Sequence, residues 1–249
     1  MKHLFVANWK MNLPFNEAID FCQQHATALA ELCLTKECEL VLCPSFETVH
    51  TVASLLQKTH ISVGAQDVSR HATGAYTGEV SALSLAQAGC SYCIIGHSER
   101  RHYYQERTID IDHKLKECIK NGITPIICIG ETEQERNDGQ TIKVLEEQLI
   151  PLLKTIAQQE DNLPYVVAYE PVWAIGSGAI PSPEALDKVF DWLHATCKRN
   201  TNGTFRLLYG GSVHKDNVHE LLPIQHIGGF LIGGASTTFE QLKGVMQHA

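Results

Sequence analysis

Eight short apolar runs recur along these 249 residues, each followed by a polar junction and a helical pattern, and no other feature limits the fold so sharply. The runs are Leu4–Ala7, Glu39–Cys43, Ile61–Ala65, Tyr92–Ile95, Thr124–Ile129, Tyr165–Ala168, Arg206–Tyr209 and Gly229–Ile232. Most are rich in Val, Ile and Leu and do not alternate with polar residues, which is the pattern of strands buried on both faces. Between them lie amphipathic stretches such as Asn16–Leu32, Asp110–Asn121, Ile142–Gln159 and Pro183–Lys198. Ser182-Pro183 supplies an N-cap followed by a first-turn proline, and Asn121-Gly122 is a helix stop. With no linker and no low-complexity tract between the units, the chain is expected to be an α/β protein. Its predicted form is a closed parallel (β/α)8 barrel, a single domain over residues 1–249, close to the roughly 250 residues such a barrel needs. The alternative is an open doubly wound sheet, which usually opens with a Gly-x-Gly-x-x-Gly turn after its first strand. Here the first strand runs into Asn8-Trp9-Lys10, and the glycine-rich turns come late, after strands seven and eight.

Charge narrows the partners. The chain carries 28 acidic and 20 basic residues, a formal net charge of −8, and no Lys/Arg run, so neither nucleic acid nor an anionic membrane is an expected partner. An anionic ligand must be held by a local site against the global field. No apolar stretch approaches the roughly 18 residues of a spanning helix, and the N-terminus does not read as a signal peptide. The nine cysteines are an odd number. Several sit in apolar runs (Cys43, Cys93, Cys128), where thiols behave as small hydrophobes. Cys90-Ser91-Tyr92-Cys93 has redox or zinc spacing, but no second Cys pair or His-x3-His follows it, so no metal site is expected. Asn202-Gly203-Thr204 is read as a turn rather than a glycosylation sequon. The expected compartment is the cytoplasm.

A barrel reacts at the C-terminal ends of its strands. Those ends carry, in order, Asn8 and Lys10, Ser45, Gln66, His97, Glu131, Glu170, Ser212 and Gly233-Gly234. Taken singly, each has a plain structural reading. Their coincidence at one end of a barrel points to a site with a cation, an imidazole and a carboxylate. Proline disfavours the helical region for the residue before it, so Glu170-Pro171 holds Glu170 extended, as suits a base that must reach one carbon-bound proton. The segment beyond it is apolar and then glycine-rich, the composition of a lid that excludes water. Gly210-Gly211-Ser212 and Gly233-Gly234-Ala235-Ser236 leave the backbone free to approach an anion at a helix start, the usual phosphate place in such barrels. His97 stands just before an expected short helix, whose positive end disfavours the imidazolium and leaves a neutral, hydrogen-bond-donating ring.

Motifs along essentially the whole chain resemble the triosephosphate isomerase family, whose fold is the TIM barrel. They are Ala7-Asn8-Trp9-Lys10-Met11-Asn12, Gly74-Ala75-Tyr76-Thr77-Gly78-Glu79, Ile95-Gly96-His97-Ser98-Glu99-Arg100-Arg101 and Cys128-Ile129-Gly130-Glu131. The run Ala168-Tyr169-Glu170-Pro171-Val172-Trp173-Ala174-Ile175-Gly176 is the most specific, and Tyr209-Gly210-Gly211-Ser212-Val213 and Gly233-Gly234-Ala235-Ser236 complete the set. The resemblance implies interconversion of dihydroxyacetone phosphate and glyceraldehyde 3-phosphate, without metal or cofactor. It implies Glu170 as base, His97 as neutral electrophile, Lys10 as the balancing cation, Asn8 as the group that orients a substrate oxygen, and Glu99 as the partner of Lys10. Phosphate contacts would come from Gly176, Ser212, Gly233 and Gly234. The lid would comprise Pro171, Val172, Trp173, Ala174, Ile175, Gly176, Ser177 and Gly178. The long segment from Gln66 to Val80 would dock on a second subunit through Thr77 near its tip, beside the partner's copies of Asn8 and Glu99, to give a homodimer. Two departures accompany the resemblance. The lid's second hinge, often Gly-Thr-Gly-Lys, here reads Gly176-Ser177-Gly178-Ala179. His194 and Gly228 stand where the family commonly carries an Arg and an Asp that pair, so they are read as a compensated double replacement. A different phosphate-binding barrel isomerase would share the late glycine turns but need not have Asn8-Trp9-Lys10. A catalytically silent scaffold should have lost Glu170, His97 or Lys10.

Overall fold

The computed structural model describes residues 2–159, 163–176 and 178–249. Eight parallel strands run in sequence order around a closed barrel. They are β1 (Leu4–Asn8), β2 (Glu39–Cys43), β3 (Ser62–Ala65), β4 (Tyr92–Ile95), β5 (Thr124–Ile129), β6 (Tyr165–Tyr169), β7 (Phe205–Tyr209) and β8 (Gly229–Ile232). Among the described residues the connecting α-helices are α1 (Phe15–Thr35), α2 (Val49–Leu56), α3 (Ala82–Gln87), α4 (Ser98–Tyr103), α5 (Thr108–Lys120), α6 (Glu133–Asn137), α7 (Thr141–Ala157), α8 (Pro183–Asn200), α9 (Val218–Leu221) and α10 (Phe239–His248). β2, β4, β5 and β8 coincide with the apolar runs, and the other four differ by one residue at one end.

The runs are predominantly apolar because each strand faces two hydrophobic environments. Leu4, Val6, Val41, Ile94, Ile126, Val166, Leu208 and Leu231 point into the barrel and pack together there. Their neighbours, among them Phe5, Ala7, Leu40, Ile127, Val167 and Phe230, point outward into a second layer beneath the helices. This is the two-residue period of a strand with both faces covered. The ring closes where β8 pairs with β1, Leu4 opposite Gly229 and Ala7 opposite Ile232. The seam needs its glycine: Gly229 has φ of 149°, and a Cβ there would lie 2.0 Å from the Leu4 carbonyl oxygen.

At the barrel's N-terminal end, His194 of α8 and Gly228 line one basal cavity. His194 gives its ring to the Phe205 ring and stacks on His226 at 3.9 Å between centroids, so its partners are aromatic. Far from this end, a network of charges ties β3 to α5. The buried Lys114 ammonium donates to both carboxylate oxygens of Asp67, at 2.6 and 2.8 Å, and to Glu106. Arg100 reaches the same two carboxylates at 2.7 and 2.5 Å.

Candidate active site

Asn8, Lys10, His97, Glu170, Ile175, Gly176, Gly178, Ser212, Gly233 and Gly234 all line one cavity of about 440 Å3 at the C-terminal end of the barrel. Those residues come from the ends of β1, β4, β6, β7 and β8, and only barrel closure brings them together. The expected ring is not complete in the cavity, however. Ser45, Gln66 and Glu131, which also follow strands, lie outside it. The Ser45 carbonyl accepts from the Thr48 hydroxyl and caps a short turn. The Gln66 amide donates to the carbonyl oxygens of Lys10 (2.8 Å) and Cys43 (3.0 Å). Glu131 is buried and accepts from the Tyr169 hydroxyl (3.1 Å) and from the Trp173 indole nitrogen (3.0 Å).

Lys10 is held in a backbone conformation that side-chain-bearing residues seldom adopt, with φ of 51°. Three contacts hold it there. The Asn8 side-chain oxygen accepts from its backbone N–H at 3.1 Å, Gln66 donates to its carbonyl, and its ammonium reaches Glu99 Oε1 at 2.5 Å. Strain of this kind persists where the surroundings over-determine it, and functional sites are where it collects. Glu99 does not itself line the cavity; it reaches the Lys10 ammonium and gives its backbone N–H to His97.

His97 caps α4. Its Nδ1 accepts from the Glu99 backbone N–H at 3.2 Å, so in the neutral ring the proton sits on Nε2, which faces Glu170 Oε1 at 3.1 Å. The second oxygen of Glu170 accepts from the Ser98 backbone N–H at 3.1 Å. Ser98 was not among the expected site residues. Its signal is that the first residue of a helix has an orphan N–H, here aimed at a carboxylate. Glu170 is 2 % exposed. Burial pushes its carboxyl up, but the His97 charge and hydrogen bond, the Ser98 N–H and the Lys10 charge outweigh that and hold it below the ordinary value. For His97 burial pulls the pKa down, and Glu170 beside it outweighs that and lifts it above its ordinary value. The backbone under Glu170 is fixed by close approach. A Cβ on Gly130 would lie 1.8 Å from the Glu170 carbonyl oxygen, and the Glu170 N–H donates to the Ile129 carbonyl at 2.8 Å.

The segment expected as a lid begins at Pro171 and turns through Val172–Ala174. Trp173 pins it to Glu131, with the Arg136 guanidinium 3.8 Å above the indole ring. On its other side the Ser212 hydroxyl donates to the Ala174 carbonyl at 2.6 Å and accepts from the Gly178 N–H at 3.2 Å. Gly176 and Gly178 both have positive φ, 69° and 77°, and Ser177 between them lies outside the described residues. Thr77 is not in the cavity. It is exposed on its loop and lines a separate polar cavity with Arg70, Arg107 and Asp110. Among the described residues no group of three or more His, Cys, Asp or Glu side chains could hold a metal ion.

Three comparisons bear on this arrangement. The family model described as triosephosphate isomerase matches residues 3–249. The chain is 37 % identical to triosephosphate isomerase of Aquifex aeolicus over 249 residues, 99 % of each chain. It is 43 % identical to the same enzyme of Coxiella burnetii, covering 98 % of this chain and 96 % of that one. It also superimposes on the crystal structure of triosephosphate isomerase from Bartonella henselae with a TM-score of 0.87, at 31 % identity, covering 100 % of this chain and 99 % of that one.

Proposed function

The chain belongs to the triosephosphate isomerase family, and from that premise we propose how its own residues interconvert dihydroxyacetone phosphate and D-glyceraldehyde 3-phosphate. The observation that carries the reading is the pairing, in one cavity, of a buried carboxylate and an imidazole 3.1 Å apart, with an ammonium and two glycine turns on the opposite walls. A phosphorylated three-carbon ketose lies with its phosphate against Gly176, Ser212 and Gly233-Gly234, whose backbone N–H groups are the donors, the Ser212 hydroxyl being given to the Ala174 carbonyl. Its carbonyl oxygen takes the place of Glu170 at His97 Nε2–H. Glu170 then accepts the proton from C1, electron density moves to the carbonyl oxygen, and an enediol(ate) forms. The carboxylic acid so made returns its proton to C2, giving the aldose. His97 moves the hydroxyl proton between the two oxygens, Lys10 offsets the negative charge and Asn8 orients the oxygen. Positioned donors of this kind are worth roughly 10²–10³ in rate each.

His97 acts as a neutral donor. The influences that lift its pKa come mainly from Glu170. With Glu170 turned to the carbon, burial and the Lys10 charge favour the neutral ring, and Nδ1 is already committed as an acceptor. The lid, Pro171 to Gly178, closes over the intermediate and excludes water, with Trp173–Glu131 as its clip. The altered second hinge at Ala179 touches lid motion, not chemistry.

The active form is a homodimer of single barrel domains spanning residues 1–249, docked through the loop carrying Thr77. The support is exposed apolar side chains on segments that follow β1 to β4: Met11 is 93 % and Tyr103 71 % exposed, and Phe46, Tyr76 and Leu83 are exposed as well. The reaction as read needs no cofactor. The net charge of −8 argues against nucleic acid, and among the described residues no helix is long and apolar enough to cross a membrane. Nine free, buried thiols suit the reducing cytoplasm. A coupled assay of glyceraldehyde 3-phosphate turnover with a chelator present tests the whole. Turnover that Glu170→Gln abolishes is expected. No turnover in the unaltered chain points to a silent scaffold or a different barrel isomerase and overturns the reading.

A further inference from the structure

Cavities of roughly 300–1,000 Å3 take drug-sized ligands, so the active cavity, at about 440 Å3, has room beyond a three-carbon phosphate. Besides the glycine turns, the cavity is lined by His214, Lys215, Asp216 and Gln241. Among the described residues, Lys10 and Lys215 are the ammonium groups on this wall. Lys10 is committed to Glu99 at 2.5 Å, whereas Lys215 forms no ion pair. The nearby Asp216 carboxylate leans instead toward His214, 3.7 Å from Nδ1. The Lys215 stem is also seated. It lies across Gly244 of α10, where an added Cβ would come within 3.1 Å of the Lys215 Cβ and 3.3 Å of its Cδ. A stem laid along a surface with its charge in water is the usual use of lysine, and Lys215, exposed and seated in this way, lines the cavity. The chain as a whole, at −8, repels a phosphate dianion.

We propose that the outer end of the cavity is an anion-capture subsite, in which Lys215 receives the phosphate dianion before it passes inward to the turns at Gly211-Ser212 and Gly233-Gly234. It rests on the isomerase reading for the identity of the anion. A dianion and a unit cation about 8 Å apart in water attract enough to raise local concentration about fivefold, and salt removes most of that once the Debye length falls to a few ångströms.

The test is kcat/KM against ionic strength for the unaltered chain, Lys215→Gln, Lys215→Arg and Lys198→Gln. The last removes the same charge from an exposed position at the basal cavity. Lys215→Gln is expected to lower kcat/KM about fivefold at roughly 0.01 M ionic strength and under twofold at roughly 0.5 M, with kcat unchanged. Lys215→Arg should restore the value, and Lys198→Gln should leave it intact. A loss that is the same at every salt concentration, that falls in kcat, or that Lys198→Gln matches overturns the proposal. Calorimetric titration with inorganic phosphate needs no turnover and separates the two readings. Phosphate binding weakened in Lys215→Gln supports the subsite even in a chain that isomerises nothing. Equal phosphate affinity in the two proteins sinks it even where turnover is normal.

Discussion

Replacing Glu170 by Asp tests the geometry most directly, because the carboxylate has no means of following the reacting carbon. The Glu170 N–H is bonded to Ile129 at 2.8 Å, its carbonyl sits where Gly130 could bear no side chain, and Pro171 follows. The backbone therefore stays where it is, and loss of one methylene withdraws the carboxylate by about 1 Å. Misplacement on that scale costs roughly 10² in rate, which is about 2.7 kcal/mol in the barrel's transition state. The loss should fall in kcat, since the groups proposed to hold phosphate follow β6, β7 and β8 and are untouched. Steady-state kinetics in both directions measures it, with the primary deuterium isotope effect at C1 rising as proton transfer becomes fully rate-limiting. A variant within twofold of the original kcat, or one whose defect lies wholly in KM, would refute Glu170 as the base.

Four further outcomes follow from particular residues. Glu170 must be ionised to act, and its pKa is depressed below its ordinary value of 4.5, so the acid limb that Glu170 itself sets should lie below that value. His97→Gln removes the largest counterweight to burial, so its residual activity should be lost at higher pH than in the unaltered enzyme; an unmoved acid limb in the pH profile refutes the coupling. In the proposed dimer Thr77→Arg puts a bulky cation at the tip of the loop read as docking, beside the partner's Lys10, and should yield a poorly active monomer by sedimentation; an intact, fully active dimer removes this loop as the docking element. Lys114→Met strands Asp67 and Glu106 and should cost about 3–5 kcal/mol, a fall in Tm of roughly 6–20 °C for a chain this size. Arg100, on both carboxylates, places the result toward the lower end, and a fall under about 2 °C in a thermal scan would show that the network contributes little.

Short-range physics is what the sequence carries by itself. Runs such as Tyr92–Ile95 and Thr124–Ile129 could be read as strands because past their first residue both faces are buried, so those residues are apolar. Glu170 before a proline, His97 before a helix start and glycines after β7 and β8 were legible because each is a local backbone requirement. Which strand-end residues face the cavity was not legible. Ser45, Gln66 and Glu131 stand at equivalent sequence places to Asn8, His97 and Glu170, yet Gln66 turns to hold the strained Lys10 and Glu131 turns to hold Trp173. The charge state of His97 was not legible either. Its helix end was readable and favours the neutral ring, but the Glu170 carboxylate that outweighs it comes from 73 residues further along the chain (170 − 97). The basal stack of His194 on His226 was equally hidden, because it needs α8 and the turn before β8 side by side. Sequence thus determined the eight units and the chemical types at their ends. Barrel closure decided which of those groups meet, because strand stagger and side-chain direction around a closed ring depend on all eight strands at once.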